Sequence, residues 1–385
     1  STFMIYLDHA ASTPTSSLAN NLLKNLWASE YANPTATHRK GREGAELINQ
    51  ARQEILSVLS DSTGNLIFTS SATESNNTIL QGVSLSRGDE VIFSPADHPS
   101  ITKPLMRLAG RLGIKLIKIA LDGDGRVDQE GFEQQLSEKV RLVVLTQVNN
   151  SSGHIYPVSE LAKIVKGINS KVHLHVDAAQ SFTKLPLDLS DHLIDSVAIS
   201  AHKMGGPCGI SALYYRSGVE FSPLLWGGGQ ESGLRSSTPA TVLIAAFAAA
   251  VKEANLKCQQ EFQRVQELSN QVRDILSGEL GERVIFPFLG SDISPYIVTM
   301  LFPGLAGDML LRYLERDEIY LSSTSACSAP SRGTNPVLAY LGVEERWHNS
   351  VLRCSFGASS SQQEVTTFCS HLLQNHRRLF SLMAR

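Results

Sequence analysis

Short apolar runs alternate with longer segments of helical periodicity through the first part of the chain. Helical periodicity covers residues 16–29 and 39–59, and a short strand and turn precede the first of these segments. The apolar runs predict buried strands at residues 65–69, 90–94, 116–120, 141–148, 172–176 and 196–200. Strands that alternate with helices are typical of an α/β fold built on a largely parallel sheet.

The pattern changes after residue 240, where one continuous stretch to about residue 280 favours a long helix. A strand at 297–302, a helix at 306–316 and a closing helix at 362–384 follow. A chain of 385 residues exceeds what one hydrophobic core usually holds. We therefore expect a large domain over residues 14–257 and a small α+β domain made of residues 1–13 and 258–385, linked by the long helix.

Composition narrows the class of protein. Apolar residues make up 42% and charged residues 18% of the chain, which is ordinary for a soluble globular protein. The net charge of −3 gives no general electrostatic reason to bind nucleic acid or an anionic membrane. No apolar run approaches the roughly 20 residues of a membrane-spanning helix. We therefore expect neither nucleic acid nor a membrane as a partner.

The five cysteines are odd in number and dispersed, and no pair has CxxC spacing. This argues against a disulfide framework or a zinc site, and we expect no metal and a reducing, cytoplasmic environment. Cys327 differs from the rest because it lies in a run of serines with glycine and proline, which favours a reactive thiol over a core residue. The others are interpreted as structural: Cys208, Cys258, Cys354 and Cys369.

Two predicted strands are followed by polar side chains that suit one cofactor. Asp177 comes directly after residues 172–176, and Lys203 follows residues 196–200. Open α/β sheets bind ligands at the carboxyl ends of their strands. Pyridoxal phosphate needs a lysine amine for its Schiff base and a carboxylate against its pyridine nitrogen. Taken alone, the pair has a plainer interpretation, in which Asp177 caps a turn and Lys203 is a solvated surface lysine.

A second candidate feature is the junction after the strand at 65–69. Ser70, Ser71, Ala72 and Thr73 precede a helical segment, and backbone N–H groups at such a helix start suit a phosphate. The same residues would equally provide an ordinary serine or threonine N-cap. His98 follows the strand at 90–94, in a position where a lone loop histidine is usually a bystander.

Several motifs in order along the chain resemble those of one family. They are YLDHAA at the start, ATES at 72–75, HVDAAQ at 175–180, SAHKMGGP at 200–207, GGGQESGLRSSTP at 227–239, SSTSACSA at 322–329 and VLRCSFG at 351–357. Together they resemble the class V aminotransferase family, and specifically its cysteine desulfurase branch. The resemblance implies a fold-type I pyridoxal-phosphate-dependent transferase with a mostly parallel sheet in the large domain and a smaller α+β domain.

The implied reaction removes sulfur from L-cysteine, giving L-alanine and a persulfide on Cys327. The sulfur then passes to a protein or small-molecule thiol acceptor for iron–sulfur cluster or thio-cofactor biosynthesis. The resemblance makes Lys203 the cofactor lysine and general base, Asp177 the partner of the pyridine nitrogen, and His98 a ring-stacking group able to move protons. By the same resemblance Asn150 and Gln180 contact the ring hydroxyl, and the cofactor phosphate is held by Ala72, Thr73, Ser200 and His202.

Three more residues carry implied roles. Thr238 would reach the phosphate of the neighbouring subunit's cofactor, which implies an obligate homodimer. Asn33 and Arg353 would bind the substrate carboxylate, although Asn33 alone resembles a turn residue and Arg353 alone resembles a solvated arginine at a strand end.

The chain departs from the family pattern at Ser151, Ser232, Ser237 and Ala358. Two alternatives stay open, and the departures at Ser151, Ser232 and Ala358 bear on the second. One is a selenocysteine lyase or a cysteine/cystine C–S lyase on the same fold. The other is a non-catalytic sulfur-trafficking partner that has kept the fold.

Overall fold

A seven-stranded sheet forms the centre of the molecule in this computed structural model, which describes residues 4–323 and 334–383. The order of its strands is β2-β8-β7-β6-β5-β3-β4. Pairing is parallel except where β8 lies antiparallel between β2 and β7, so the largely parallel sheet is confirmed. The strands are β2 (Asn65–Thr69), β3 (Glu90–Phe93), β4 (Lys115–Lys118), β5 (Val140–Thr146), β6 (His173–Asp177), β7 (Ser196–Ser200) and β8 (Ser211–Tyr215).

Helices connect and cover these strands. The predicted long helix is confirmed as α7 (Thr241–Leu280), which packs against the first two helices of the chain. Those two are α1 (Ser17–Trp27) and α2 (Arg39–Val58), close to their predicted bounds. The helices between the strands are α3 (Ala72–Gly82), α4 (Pro99–Leu112), α5 (Gln129–Gln135) and α6 (Val158–Ile168).

The remaining strands lie in two small sheets. β1 (Ile5–Tyr6) pairs parallel with β10 (Ile319–Tyr320), and β9 (Ile297–Leu301) pairs antiparallel with β11 (Val351–Ser355). They share a second apolar cluster, separate from the cluster of the large sheet, to which Ile5 contributes. The helices of this region are α8 (Gly307–Arg316), α9 (Pro336–Tyr340) and α10 (Gln362–Met383). These two cores support our proposal that residues 14–257 form one domain and that residues 1–13 and 258–385 form another.

The cysteines fall into distinct environments. Cys354 and Cys369 are fully buried, and burial raises the pKa of both thiols, which agrees with a structural role. Cys208 is exposed in the turn before β8, so its interpretation as a packed structural residue is wrong. Cys327 lies outside the described residues.

Within residues 4–323 and 334–383, no helix has the length and apolar character needed to cross a membrane. The same residues contain no group of three or more His, Cys, Asp or Glu side chains arranged to hold a metal ion.

Candidate active site

The carboxyl ends of the parallel strands open into a cavity of about 240 Å³. Asp177 ends β6, and Lys203 follows β7. Because β6 and β7 are adjacent parallel strands, the residues at their carboxyl ends lie at the same edge of the sheet. The cavity therefore gathers residues that are far apart in sequence. The predicted site residues that line it are Ala72, Thr73, His98, Asn150, Asp177, Gln180, His202 and Lys203.

Asp177 is held in one orientation by two donors. Its Oδ1 accepts a hydrogen bond from the backbone N–H of Ala179 at 2.9 Å, and its Oδ2 accepts one from Asn76 Nδ2 at 2.9 Å. The residue is only 4% exposed. A buried carboxylate with hydrogen bonds on both oxygens is preorganised to receive a further donor, such as a protonated ring nitrogen.

The N-terminal segment closes over the lysine. Lys203 Nζ donates a hydrogen bond to the carbonyl oxygen of Ala10 at 3.0 Å, and Gln180 Nε2 donates to the same oxygen at 2.8 Å. His202 lies beside them, and its Nδ1 is hydrogen-bonded to Ser12 Oγ at 3.2 Å. Burial and the charge of Lys203 lower the pKa of His202, which favours the neutral form of its imidazole.

The start of α3 combines both roles that its sequence allows. Ser71 Oγ accepts from the backbone N–H of Glu74 at 3.1 Å and caps the helix, while Ala72 and Thr73 line the cavity. Ser200, at the end of β7, is 1% exposed, and its Oγ has no hydrogen-bond partner among the described residues. A buried hydroxyl left unpaired is costly. The free hydroxyl, the helix start and His202 together fit a bound phosphate.

His98 is the N-cap of α4 and projects into the cavity. Its Nδ1 meets Ser100 Oγ at 2.8 Å and accepts from the backbone N–H of Ser100 at 3.1 Å. Burial lowers the pKa of His98 because it removes water from the charged form, although the carboxylate of Asp177 acts in the opposite direction.

Arg353 extends from β11 toward the same region and is 6% exposed. Its Nη2 pairs with Asp8 Oδ1 at 3.0 Å, and its Nη1 donates to the carbonyl oxygen of Asn150 at 2.8 Å. The buried Nε has no hydrogen-bond partner among the described residues. Arg353 is therefore a buried cation held by two hydrogen bonds, and its Nε–H remains available as a further donor. The alternative of a solvated arginine at a strand end is wrong.

Asn33 and Thr238 do not reach the cavity within this chain. Asn33 is exposed, and its Oδ1 accepts from the backbone N–H of Thr35 at 3.0 Å and from Thr35 Oγ1 at 2.7 Å, as a turn residue would. Thr238 is exposed in the loop before α7. The bound roles of both residues stay predictions.

The loop that carries Thr238 is anchored to helices α2 and α3. Arg235 pairs with Glu74 at 2.8 Å, and Arg52 pairs with Glu231 at 2.9 Å. Burial alone would raise the pKa of Glu74, but its hydrogen bonds from Arg235 and Ser70 outweigh burial and lower it. These contacts hold an exposed loop in one place.

Sequence reasoning did not identify Lys184. Its ammonium lies 5.1 Å from the ring centroid of Tyr296, and burial together with the charge of Lys203 lowers its pKa to about 7. It lines a second cavity of about 250 Å³ that also touches Lys203 and Ala358, one of the positions where the chain departs from the family pattern. No local signal distinguishes Lys184 in the sequence from an ordinary surface lysine.

Asp97 was also missed. This buried carboxyl accepts from Thr146 Oγ1 at 2.8 Å, and Thr146 lines the main cavity. Burial, with a smaller contribution from the charge of Asp177, raises the pKa of Asp97 to about 7, although its hydrogen bonds act in the opposite direction.

A mostly parallel sheet with an aspartate and a lysine at its carboxyl edge, and a small domain packed beside it, is the architecture of fold-type I pyridoxal-phosphate-dependent enzymes. Residues 5–368 match the Aminotransferase class-V family, and the chain belongs to this family. It is therefore an enzyme.

Named relatives and solved structures agree with this assignment. The chain is 31% identical to the NifS/IcsS protein homolog of Lactobacillus delbrueckii over 95% of each chain. It is 30% identical to cysteine desulfurase IscS of Dictyoglomus turgidum, over 94% of this chain and 91% of the relative. A solved NifS-like protein superposes with a TM-score of 0.90 at 30% identity, covering 97% of this chain and 99% of that one. The predicted fold class is confirmed.

Proposed function

We propose that this enzyme is a cysteine desulfurase that uses pyridoxal phosphate to remove sulfur from L-cysteine. The observation that carries the proposal is the cavity that Lys203 and Asp177 line together with the start of α3. The buried Ser200 hydroxyl at the end of β7, which has no partner among the described residues, adds to it. Relatives named cysteine desulfurase, at about 30% identity over nearly the whole chain, support the substrate. When bound, the cofactor supplies an electron sink for charge that develops at the substrate carbon bearing the amine.

The residues divide the work of holding the cofactor. Lys203 Nζ would bind its carbonyl carbon, and Asp177 would keep a proton on its ring nitrogen. Asn150 and Gln180 lie at the cavity wall and would contact the ring hydroxyl. The phosphate would occupy the start of α3, with Ala72, Thr73, Ser200 and His202 as its partners.

The Lys203 amine would also act as general base on the α-proton of cysteine. Arg353 would bind the substrate carboxylate, with Nε as the donor that remains beside its bonds to Asp8 and Asn150. Asn33 is proposed as a further carboxylate contact. Because Asn33 is exposed in this chain, its role requires closure of the site or a neighbouring subunit.

Cys327 is the proposed sulfur acceptor. Its thiolate attacks the substrate sulfur, the carbon–sulfur bond breaks, and the bonding electrons stay with the substrate carbon, which takes a proton to become alanine. The sulfur remains on Cys327 as a persulfide until a protein or small-molecule thiol removes it. The use of that sulfur in iron–sulfur cluster or thio-cofactor synthesis, and a cytoplasmic location, are part of the same proposal.

The proposed assembly is a homodimer whose sites are completed in trans by Thr238. The support is that Thr238 is exposed on an anchored loop and lies away from the cavity of its own chain. Mixing a Lys203→Ala protomer with a Thr238→Ala protomer places both lesions in one site of the hybrid and neither in the other. Activity should recover above that of both parents, and a mixture without recovery would count against shared sites.

The test of the function itself uses Cys327→Ser. The variant should bind cofactor and cysteine normally, because neither step needs the thiol, yet it should make no alanine. Cys208→Ser is the matched control, since Cys208 is an exposed thiol that lines neither of the two cavities at Lys203, and its turnover should equal that of the parent. Near-normal alanine formation by the Cys327 variant would contradict the proposal and favour the C–S lyase.

A further inference from the structure

A continuous row of buried polar side chains runs beneath α3 and ends at two proposed site residues. His173 Nε2 is hydrogen-bonded to Ser196 Oγ at 2.7 Å, and the same hydroxyl is hydrogen-bonded to His175 Nδ1 at 2.7 Å. His175 Nε2 meets Asn76 Oδ1 at 2.9 Å. Asn76 Nδ2 then donates to Asp177 Oδ2 at 2.9 Å and to Ser100 Oγ at 3.0 Å. The row therefore divides at Asn76 into one branch to Asp177 and one to His98.

The charge of Asp177 sets the direction of the first branch. An ionised carboxylate only accepts hydrogen bonds, so the amide nitrogen of Asn76 faces it and the amide oxygen faces His175. His175 must then carry its proton on Nε2, which leaves Nδ1 as an acceptor for the Ser196 hydroxyl. The Ser196 oxygen in turn accepts from His173 Nε2.

The second branch reaches His98. One hydrogen of the Asn76 amide points at Ser100 Oγ, so the Ser100 hydroxyl hydrogen is free to point at His98 Nδ1. The backbone N–H of Ser100 donates to the same nitrogen at 3.1 Å. Two donors aimed at Nδ1 leave no room for a proton there. The neutral His98 ring must carry its proton on Nε2.

The row is sealed from water and stays uncharged. Asn76, His175 and Ser196 are each 0% exposed, so an unmet donor or acceptor would carry the full cost of desolvation. Burial, aided by neighbouring His173, lowers the pKa of His175 to about 3, and burial lowers that of His173 to about 4. Apolar side chains would fill the same volume without this cost, so packing alone does not account for the row.

We propose that Asn76 is a positioning residue that holds Asp177 as an acceptor and, through Ser100, holds His98 with its proton on Nε2. His98 therefore enters the reaction as a neutral ring with a hydrogen-bond donor at Nε2, and it cannot take a proton at Nδ1 until Ser100 turns away. This assignment rests on the proposed function for its meaning in catalysis.

Nitrogen-15 NMR of histidine-labelled protein without cofactor tests the tautomers directly, because a ring nitrogen that carries hydrogen is distinguished by its chemical shift and its proton coupling. His98→Gln and His175→Gln variants assign the two rings. Both rings should carry hydrogen on Nε2 at neutral pH. Hydrogen on Nδ1 of either ring in the parent protein would overturn the proposal, whatever the outcome with any variant.

Asn76→Leu keeps the approximate volume and removes both branches, and Thr78→Val is its matched control. Thr78 is buried on the same helix, and its hydroxyl donates only to the Glu74 carbonyl of that helix. In Asn76→Leu, the Nε2 tautomer of His175 should be lost, and kcat for alanine formation should fall about tenfold with KM within about twofold. Thr78→Val should change neither. Unchanged tautomers and kcat in Asn76→Leu would overturn the proposal.

Ser100→Ala gives a second route in case Asn76→Leu folds poorly. It leaves α3 untouched and removes one of the two donors at His98 Nδ1, so His98 should bind a proton more readily and its titration should move to higher pH. An unmoved titration would contradict the role given to Ser100. Failure of borohydride to tag Lys203 in the parent protein would instead count against the proposed function and leave the tautomer result standing.

Discussion

The two faces of strands β6 and β7 differ completely in chemistry although the same backbone carries both. Toward α2, α6 and α7, the strands present only apolar side chains: Leu174, Val176, Val197 and Ile199, which belong to the main core. Toward α3 they present mostly polar side chains, His173, His175, Asp177, Ser196 and Ser200, with Ala198 as the one apolar member, all buried. Because successive side chains of a strand alternate, each face is continuous. One face is a hydrophobic core, and the other is a buried polar layer that leads into the cavity.

This difference separates the residues that stabilise the fold from those that position the side chains of the site. Burying a large aliphatic side chain contributes roughly 1.5–3 kcal/mol, whereas a typical internal hydrogen bond contributes about 1 kcal/mol net. The polar face is therefore the weaker source of stability for the volume that it occupies. Its histidines instead bond to Asn76, which orients Asp177 and, through Ser100, His98. Substitutions on the apolar face should act on folding, and substitutions on the polar face should act on cofactor and chemistry.

The largest expected effect is at Lys203, beyond the end of β7. Lys203→Ala should lower turnover by several orders of magnitude, because it removes both the cofactor attachment and the proposed general base. The free energy of unfolding of the apo protein should change by less than about 1 kcal/mol. Activity assays and urea unfolding measure the two quantities. Lys163→Ala, at an exposed site on α6, is the control, and borohydride labelling of a lysine other than Lys203 would refute the assignment.

The apolar face should respond in the opposite way. Ile199 is fully buried on β7, between Ala198 and Ser200 of the other face. Ile199→Ala should lower the free energy of unfolding by about 2–5 kcal/mol through lost burial and the cavity left behind. Protein that remains folded should still attach the cofactor at Lys203. Normal stability in this variant, or a folded protein that no longer binds cofactor, would break the distinction between the faces.

Ser200 gives a finer comparison at the end of the same strand. Ser200→Ala removes a buried hydroxyl that has no partner among the described residues, so stability should be unchanged or slightly higher. Affinity for pyridoxal phosphate should fall about tenfold, because a hydrogen bond to a charged phosphate is lost. Equilibrium titration by absorbance measures the affinity. Ser211→Ala, which removes the unpaired hydroxyl opposite Ser200 on β8, should leave the affinity unchanged. Equal losses in the two variants would argue against a specific phosphate contact at Ser200.

The smallest expected effect is on the loss of folding stability at acidic pH. Burial lowers the pKa of His173 to about 4, well below the value of roughly 6.5 for an unfolded histidine. The unfolded chain therefore binds more protons as pH falls, and the stability present above pH 6.5 is progressively lost toward pH 4. His173→Gln should reduce this loss by on the order of 1 kcal/mol at pH 5. Unfolding curves at pH 7 and pH 5 provide the measurement. An identical drop in the free energy of unfolding between the two pH values in parent and variant would contradict the burial effect.

Periodicity predicted the fold well wherever a strand or helix had a clear apolar pattern. The bounds of α7 and β7 agree with the prediction to the residue, because long helical periodicity and a short β-branched run leave little ambiguity. β8 was missed. It returns antiparallel through a short turn with no helix between β7 and itself, so the strand and helix alternation gave no reason to expect it.

The site was predictable where residues act at strand ends and less so where they act through space. Asp177, Lys203 and His98 meet as expected, whereas Lys184 and Asp97 depend on burial that no local pattern reports. The alternation of polar and apolar residues in β6 was visible, but it is also what a strand with one solvated face would show. Only the packing of α3 over that face reveals that its histidines and serines are buried.

The central claim, that the enzyme transfers sulfur and does not simply eliminate it, is tested most directly by the products of one turnover. Protein loaded with pyridoxal phosphate is mixed with one equivalent of L-cysteine in the absence of reductant, and alanine, pyruvate and the mass of the Cys327 peptide are quantified together. We expect one alanine for each sulfur atom added to that peptide, with no pyruvate. Pyruvate and free sulfide in place of alanine, with Cys327 unmodified, would contradict the account.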